Sequence, residues 1–423
     1  MNTTKISLFK IKSKYKLKVN FSFLDKSKTI DIIKYNKKLQ NRLDINLFKI
    51  EIEIIPYRLG KFINIPEAHE DYYHLYLDNN EEEFKFEYLN KENKADKILI
   101  IIDRQVKSFK ELFRECNGNK FINFKFFHRV NIKNMIGLFY RCEFLKDINI
   151  SNLKTDNVVN MESMFYGCSS LELLDFSNFN TNSVIDMSNM FCKCSSLLML
   201  DLSNFNTNNV TKMCNMFCGC LSLQLLDVHL FNTINVTNMR NMFTFCSSLQ
   251  ILNLSNFNTI NVTDMSAMFC ECSSLKEIII SNFNTSNVTD MNAMFYGCSS
   301  LTELNISNFN TSKVTNMSVM FRRCSSLKKL NLSNFNTSNV INMSDMFYGC
   351  SSLIELNISN FNTNDVINMS CMFNGCSSLK KLNISNFKIN DITITNHMFS
   401  RCSEELKIDI ISQNKNISSL TFL

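Results

Sequence analysis

The stretch that decides the fold is a 26-residue unit, "NVTDMNAMFYGCSSLTELNISNFNTS", at residues 287–312. Close copies precede and follow it, and each copy carries a cysteine at the same place. Twelve of the 17 cysteines lie at intervals of 26, from Cys116 through Cys298 to Cys402. A repeat period between about 20 and 50 residues indicates a solenoid, in which each coil packs against its neighbours.

Two periodicities occur within each unit. Leu304 and Ile306 alternate with polar residues, which predicts a short strand with one buried face. Met291, Met294 and Phe295 have the i, i+3, i+4 spacing of one helical face, which predicts a brief helical segment. We therefore expect an α/β solenoid, a stack of 26-residue coils with a parallel β ladder. Its predicted core consists of Val288, Met291, Met294, Phe295, Leu301, Leu304, Ile306, Phe309 and their equivalents.

The repeat does not cover the whole chain. Residues 1–98 lack it, and they contain strand-like segments at 15–23 and 47–55 and an amphipathic segment at 29–43. This pattern predicts a small α+β domain. Residues 99–423 form the predicted solenoid, with an atypical N-terminal cap at 99–133, regular coils at 134–402 and a C-terminal cap at 403–423. Caps are expected because each terminal coil has one face without a neighbour.

Composition limits the classes of function. With 45% hydrophobic and 20% charged residues, the chain has enough apolar material for a folded core. Its net charge of +6 is modest for 423 residues, so no nucleic-acid partner is expected. The sequence shows no signal-peptide pattern and no apolar run long enough to span a membrane. We therefore expect a cytoplasmic protein with reduced thiols.

The recurring cysteine is predicted to be a packing element. Free cysteine behaves as a small apolar residue, and a disulfide needs a Cβ separation of about 3.8 Å, shorter than the strand spacing of about 4.8 Å. C-x-C pairs in two successive coils allow a less favoured interpretation, a zinc site, although zinc ligands typically follow C-x-x-C spacing. Its ligands would be Cys192, Cys194, Cys218 and Cys220. The favoured prediction has no metal and no cofactor.

One column of the predicted ladder differs between the two halves of the solenoid. Residues 26 apart lie side by side in stacked coils, so the position before the second leucine of each unit forms a column on the outer face. Later coils carry charge in this column, and four consecutive earlier coils carry Leu173, Met199, Leu225 and Ile251. Asp175, Asp201 and Asp227 follow two residues further on.

An exposed apolar patch with an acidic rim is typical of an interaction site. These seven residues are therefore the predicted partner-binding residues. The alternative is that the N-terminal domain or a second copy of the chain covers the patch.

The segments "NVTDMSAMFCECSSL" (261–275) and "ISNFNTSNVTDM" (280–291) resemble the BspA-type leucine-rich repeats, including their mycoplasma-like surface-protein version. The resemblance covers roughly residues 109–402. It implies a leucine-rich-repeat solenoid without catalytic activity that binds protein partners, often as a surface adhesin.

The predicted function is that of a non-catalytic protein–protein interaction scaffold that binds its partner through the outer face of the predicted β ladder. Residues 1–98 contain no nucleophile elbow, phosphate loop or ordered acid–base set, so no enzyme is predicted. Two alternatives stay open. One is an exported cell-surface adhesin of the BspA type, and the other is an adaptor whose N-terminal domain recruits a partner.

Overall fold

The computed structural model describes residues 49–78, 80–128, 131–390 and 392–413. The predicted strand at 15–23, the amphipathic segment at 29–43 and the last ten residues of the predicted C-terminal cap lie outside the described residues. The elements before the regular coils are β1 (Lys49–Pro56), β2 (Gly60–Lys61), a 3-10 helix (Glu67–Tyr72), β3 (Tyr73–Leu77), β4 (Tyr88–Leu89), β5 (Ile98–Ile102) and β6 (Asn119–His128). The strand predicted at 47–55 is confirmed as β1.

The predicted stack of 26-residue coils is confirmed. Parallel bridges join equivalent residues of successive coils without a break, from Ser108 and Asn134 to Asn368 and Ile394. A second, shorter ladder carries the three-residue strands β7 (Asp147–Asn149), β8 (Met199–Asp201), β9 (Leu225–Asp227), β10 (Ile251–Asn253), β11 (Glu277–Ile279), β12 (Lys329–Asn331) and β13 (Glu355–Asn357). Their pairing is parallel and 26 residues apart, as in Met199 with Leu225. We call the outward side of these strands the ladder face.

The predicted helical segment is a run of turns instead. Its amide groups alternate between two kinds of acceptor. The N–H groups of Ala293 and Phe295 donate to the next coil, whereas those of Met294 and Tyr296 donate three residues back within their own coil. Ala293 has a left-handed backbone with φ of 55°, and the same conformation recurs four residues on. A left-handed residue in every fourth place is incompatible with an α-helix. The segment therefore forms backbone hydrogen bonds with the turn segments of the adjacent coils.

A column of phenylalanines fills the core beside these turns. Phe295 stacks between Phe269 and Phe321, with ring centroids 5.5 and 5.7 Å away, and the column extends from Phe113 to Phe399. The predicted core residues of this coil are buried, apart from Leu304, which is half-buried. Such burial of large aromatic and aliphatic side chains is the main favourable contribution to the stack.

The recurring cysteine packs in this core, as predicted, and it also donates a hydrogen bond. The thiol of Cys298 donates to the carbonyl oxygen of Phe269, with the sulfur 3.2 Å from the oxygen. The same bond to the preceding coil recurs from Cys142 to Cys402. Burial raises the pKa of Cys142 and Cys350 to about 12, so both thiols keep their protons near neutral pH.

Asparagine and threonine side chains join the coils outside the core. Asn308 donates to the carbonyl oxygen of Phe283 in the preceding coil at 2.7 Å. Buried Thr285 both donates to the carbonyl of Asn310 and accepts from its N–H. The residues equivalent to Asn308, namely Asn256, Asn282 and Asn334, also donate to backbone carbonyls of the preceding coil.

The first coil is capped by the sheet that precedes it. The sheet has the strand order β3-β5-β1-β6-β7, so β6 joins it to the ladder, and it crosses the boundary predicted between residues 98 and 99. Asn64 donates the hydrogen bonds that the carbonyls of a later coil receive from the coil before it. Its N–H bonds to the carbonyl of Leu112 at 2.7 Å, and its side-chain amide bonds to that of Arg114 at 2.9 Å. In later coils the equivalent carbonyls accept from the preceding turn segment.

The last coil is capped by helix α1 (Glu404–Gln413). Leu406 and Ile410 of the helix are buried against the core. The Gln413 side chain accepts from the N–H of Ile384 at 2.9 Å and donates to the carbonyl of Leu382 at 2.8 Å. These side-chain bonds replace the next strand and close an otherwise exposed sheet edge.

We predict that Val319→Asn stabilises the protein. Val319 has φ of 54°, in a region that β-branched residues rarely adopt, whereas three other coils have asparagine in the same place. We expect the free energy of unfolding to rise by about 1 kcal/mol, as measured by chemical denaturation. The reverse change in another coil, Asn189→Val, should lower it by a similar amount. Equal stability of all three proteins would contradict a strained left-handed conformation at this position.

We also predict that Asn64→Ala loosens the first coil. Loss of the side-chain amide leaves the carbonyl of Arg114 without its donor, at a cost of about 1 kcal/mol. Hydrogen exchange at residues 108–118 should become roughly fivefold faster, while residues 287–312 keep their protection. Asn364→Ala is the control because Asn364 is exposed in a coil far from Asn64. Unchanged exchange at 108–118 would rule out this capping role.

Candidate functional site

The four predicted apolar residues lie next to one another on the ladder face. Leu173, Met199, Leu225 and Ile251 keep 59%, 48%, 66% and 61% of their surface exposed. Met199 and Leu225 are direct partners in the parallel ladder. We call these four residues the apolar stripe. Leu198, which is not among the predicted residues, is also 43% exposed beside Met199. The sequence does contain a signal for it, because the equivalent positions of the neighbouring coils hold the polar residues Glu172 and Gln224.

The three predicted aspartates are exposed beside the stripe, and each one caps the bend that follows its strand. A carboxylate oxygen of Asp175 accepts from the N–H of Ser177 at 2.8 Å. Asp201 and Asp227 accept from the second residue on in the same way. These bonds from the backbone lower the pKa of all three carboxyl groups. The aspartates are therefore negatively charged at neutral pH.

Asparagine makes the same bend elsewhere in the solenoid. Asn305 accepts from the N–H of Ser307, and Asn331 accepts from that of Ser333. Because the amide oxygen of asparagine accepts the same backbone hydrogen bond, the bend does not require the negative charge of the three aspartates. Charge is what distinguishes these coils from the others.

The carboxyl-terminal half of the ladder face is different. The column that holds the apolar stripe continues there with Glu277, Glu303, Lys329, Glu355 and Lys381. Lys329 and Glu355 form an ion pair of 2.6 Å. By contrast, Asp227 contacts His229 of its own bend, with Nδ1 of the histidine 2.7 Å from a carboxylate oxygen. The amino-terminal half is therefore apolar and acidic, and the carboxyl-terminal half mixes both charges.

The four cysteines of the less favoured zinc interpretation divide into two pairs. Cys194 and Cys220 are core residues whose thiols donate to the carbonyls of Phe165 and Phe191. Cys192 and Cys218 lie outside this thiol column, at equivalent positions of adjacent coils. Across the described residues, no group of three or more histidine, cysteine, aspartate or glutamate side chains has an arrangement that could hold a metal ion. In the same part of the chain, no helix has the length and apolar character needed to cross a membrane.

We predict that the triple variant with Asp175→Asn, Asp201→Asn and Asp227→Asn keeps its stability at neutral pH. Its amide oxygens can accept the same backbone bonds. A lowered carboxyl pKa contributes stability above the unfolded-state value of about 4 and loses it as the pH falls through the folded-state value.

The wild type should therefore lose slightly more stability than the triple variant below about pH 4. Thermal unfolding midpoints over a pH series measure this difference. A triple variant that unfolds at neutral pH would contradict the interchange of aspartate and asparagine at these bends.

Comparison with known proteins identifies the repeat. No curated protein matches the chain. One similar solved structure is described as "Crystal structure of TLR13-ssRNA13 complex", with 15% sequence identity and a TM-score of 0.26. That match covers 62% of this chain and 42% of the other, so this chain spans less than half of its length. The family model described as "Mycoplasma protein of unknown function, DUF285" matches residues 107–222, 174–253, 198–279, 245–330 and 324–421. Because these matches together cover most of the chain, the protein belongs to this repeat family.

Proposed function

We propose that the protein is a non-catalytic interaction scaffold whose ladder face binds a protein partner at the apolar stripe. The observation that carries this proposal is the run of four exposed apolar side chains on neighbouring coils. The same column holds charged residues in later coils, so the fold does not require apolar residues there. A contiguous exposed apolar patch commonly marks a protein interface.

The acidic rim indicates the chemistry of the partner. Glu172, Asp175, Asp201 and Asp227 surround the stripe with negative charge. A complementary protein surface presents apolar side chains flanked by lysine or arginine. Charges at such a rim increase the association rate and favour the correct partner more than they increase affinity. Binding should therefore weaken as salt screens these charges.

The rigidity of the scaffold also supports binding through this surface. Each coil is fixed to its neighbours by backbone bonds, by the phenylalanine column and by the recurring thiols. A surface that is already ordered loses little conformational entropy when a partner binds. Side chains in one column therefore keep their spacing in the free protein.

The test is affinity capture with the full chain in an extract of the cells that produce it. Replacing all four stripe residues with serine should reduce capture of the specific partner at least about tenfold, equivalent to about 1.4 kcal/mol or more. The triple asparagine variant should bind more weakly and with less dependence on salt. The matched control replaces four exposed apolar residues away from the stripe, namely Val159, Ile185, Ile341 and Ile367.

If the folded variant with all four stripe residues replaced captures as much partner as the wild type, the proposal is wrong. Loss of capture in the control as well would point to a general effect of surface apolarity. Folding is checked for each variant by its unfolding midpoint.

An exported adhesin is the second candidate, and it is favoured by the resemblance to BspA-type repeats. The same surface would serve it, with a partner outside the cell. Protease treatment of intact cells distinguishes the two. Digestion of the protein in intact cells supports the adhesin, whereas digestion only after lysis supports the internal scaffold.

A further inference from the structure

One column of turn-segment side chains belongs neither to the core nor to the ladder face. It lies two residues before the recurring cysteine. Tyr140 and Tyr166 stack within it, with ring centroids 4.7 Å apart and planes 8° from parallel. Arg114 lies over the ring of Tyr140 and Arg322 over that of Tyr348, so side chains of adjacent coils meet at these places in the column. Its successive members are Arg114, Tyr140, Tyr166, Cys192, Cys218, Thr244, Cys270, Tyr296, Arg322 and Tyr348.

Cys192 and Cys218 are neighbours in this column, at equivalent positions of adjacent coils. The backbone holds their coils in register, since the N–H of Lys193 donates to the carbonyl of Cys218 at 2.6 Å. Cys192 is 4% exposed, whereas Cys218 is half-buried and accessible to small molecules.

The recurring thiols are arranged differently. Cys194 and Cys220 are fully buried, and each thiol is directed to a phenylalanine carbonyl oxygen. Burial raises the pKa of both. By contrast, the neighbouring thiol of Cys192 and the positive charge of Lys193 lower the pKa of Cys218. The accessible sulfur of the outer pair is thus the better nucleophile.

We propose that Cys192 and Cys218 are a modification site, at which a peroxide converts the two thiols into a disulfide bond between adjacent coils. Stacked coils lie about 4.8 Å apart, within the Cα separation of about 4.4–6.8 Å that a disulfide accepts. The Cβ atoms need to approach by about 1 Å to reach the separation of about 3.8 Å. The pair has no phenylalanine carbonyl that directs its sulfurs apart, unlike the recurring thiols.

The reaction has two balanced steps. The Cys218 thiolate attacks one oxygen of hydrogen peroxide, the O–O bond breaks, and hydroxide leaves and takes up the thiol proton as water. The sulfur of Cys192 then attacks the sulfenic acid of Cys218, the S–O bond breaks, and the second hydroxide leaves as water with the proton of Cys192. The two sulfurs together lose two electrons, and the peroxide is reduced to two water molecules.

The disulfide would join two coils of the interaction surface. The coil of Cys192 carries Met199, and the coil of Cys218 carries Leu225. The bond closes a loop of the 26-residue repeat and restricts the unfolded chain, so the oxidised protein should unfold at a higher temperature. This modification is independent of the proposed function and does not require a binding partner.

The experiment uses the reduced full chain and hydrogen peroxide, followed by alkylation, trypsin and mass spectrometry. Trypsin cleaves after Lys193 and Lys212, so the two cysteines lie on different peptides, at residues 155–193 and 213–240. We expect a cross-linked pair of these peptides whose mass is lower by two hydrogen atoms, with fragments that assign the link to Cys192 and Cys218. The cross-link should be absent after Cys192→Ser and after Cys218→Ser.

The control is Cys371→Ser. Cys371 is also half-buried, but Asp345 and His397 are its neighbours in the same column of adjacent coils. This variant should form the cross-link as the wild type does, and Cys371 in the wild type should be alkylated without joining another cysteine. The wild type is itself the decisive sample. Peroxide treatment of the folded chain that oxidises Cys218 to sulfinic acid, or leaves both thiols free, would overturn the proposal.

Discussion

The hydrogen bonds between turn segments of successive coils are the interaction on which the rest of the structure depends. Alternate N–H groups leave the coil for the next one because residues such as Ala293 have left-handed backbones and no helix can form. Coils without helices stack closely, and the phenylalanine rings of neighbouring coils lie 5.5 Å apart at Phe269 and Phe295. The recurring cysteine fits this spacing, since its thiol reaches the carbonyl of the coil before it.

Close stacking also explains how one repeat can carry different surface chemistry. Every position of the unit becomes a column of side chains in contact, so a change in a few neighbouring coils creates a local surface. The ladder face is apolar at Leu225 and paired in charge at Lys329 and Glu355. Another column changes from stacked tyrosines at Tyr140 and Tyr166 to a pair of thiols. The scaffold stays the same because these side chains point away from the core.

Much of the fold was predictable from periodicity. The period of 26 predicts the register of the coils, and the apolar positions predict the core around Phe295. The exposure of the apolar stripe follows from alternation in the strand. The prediction of a helical segment was wrong. Apolar residues at i, i+3 and i+4 are also buried by a run of consecutive turns, so their spacing does not distinguish turns from a helix. Left-handed conformations at residues such as Val319 have no reliable signal in residue type.

The sequence by itself determined the repeat, its register, its buried positions and the columns on its surface, because a strict period places equivalent residues side by side. Only the tertiary structure decided how the stack ends and which polar atoms meet. Asn64 and Gln413 replace missing coils through contacts that have no local pattern. The burial of Cys192 and the partial exposure of Cys218 likewise depend on which way each side chain turns from the backbone. Long-range contacts of single side chains follow from three-dimensional packing, and periodicity carries no information about them.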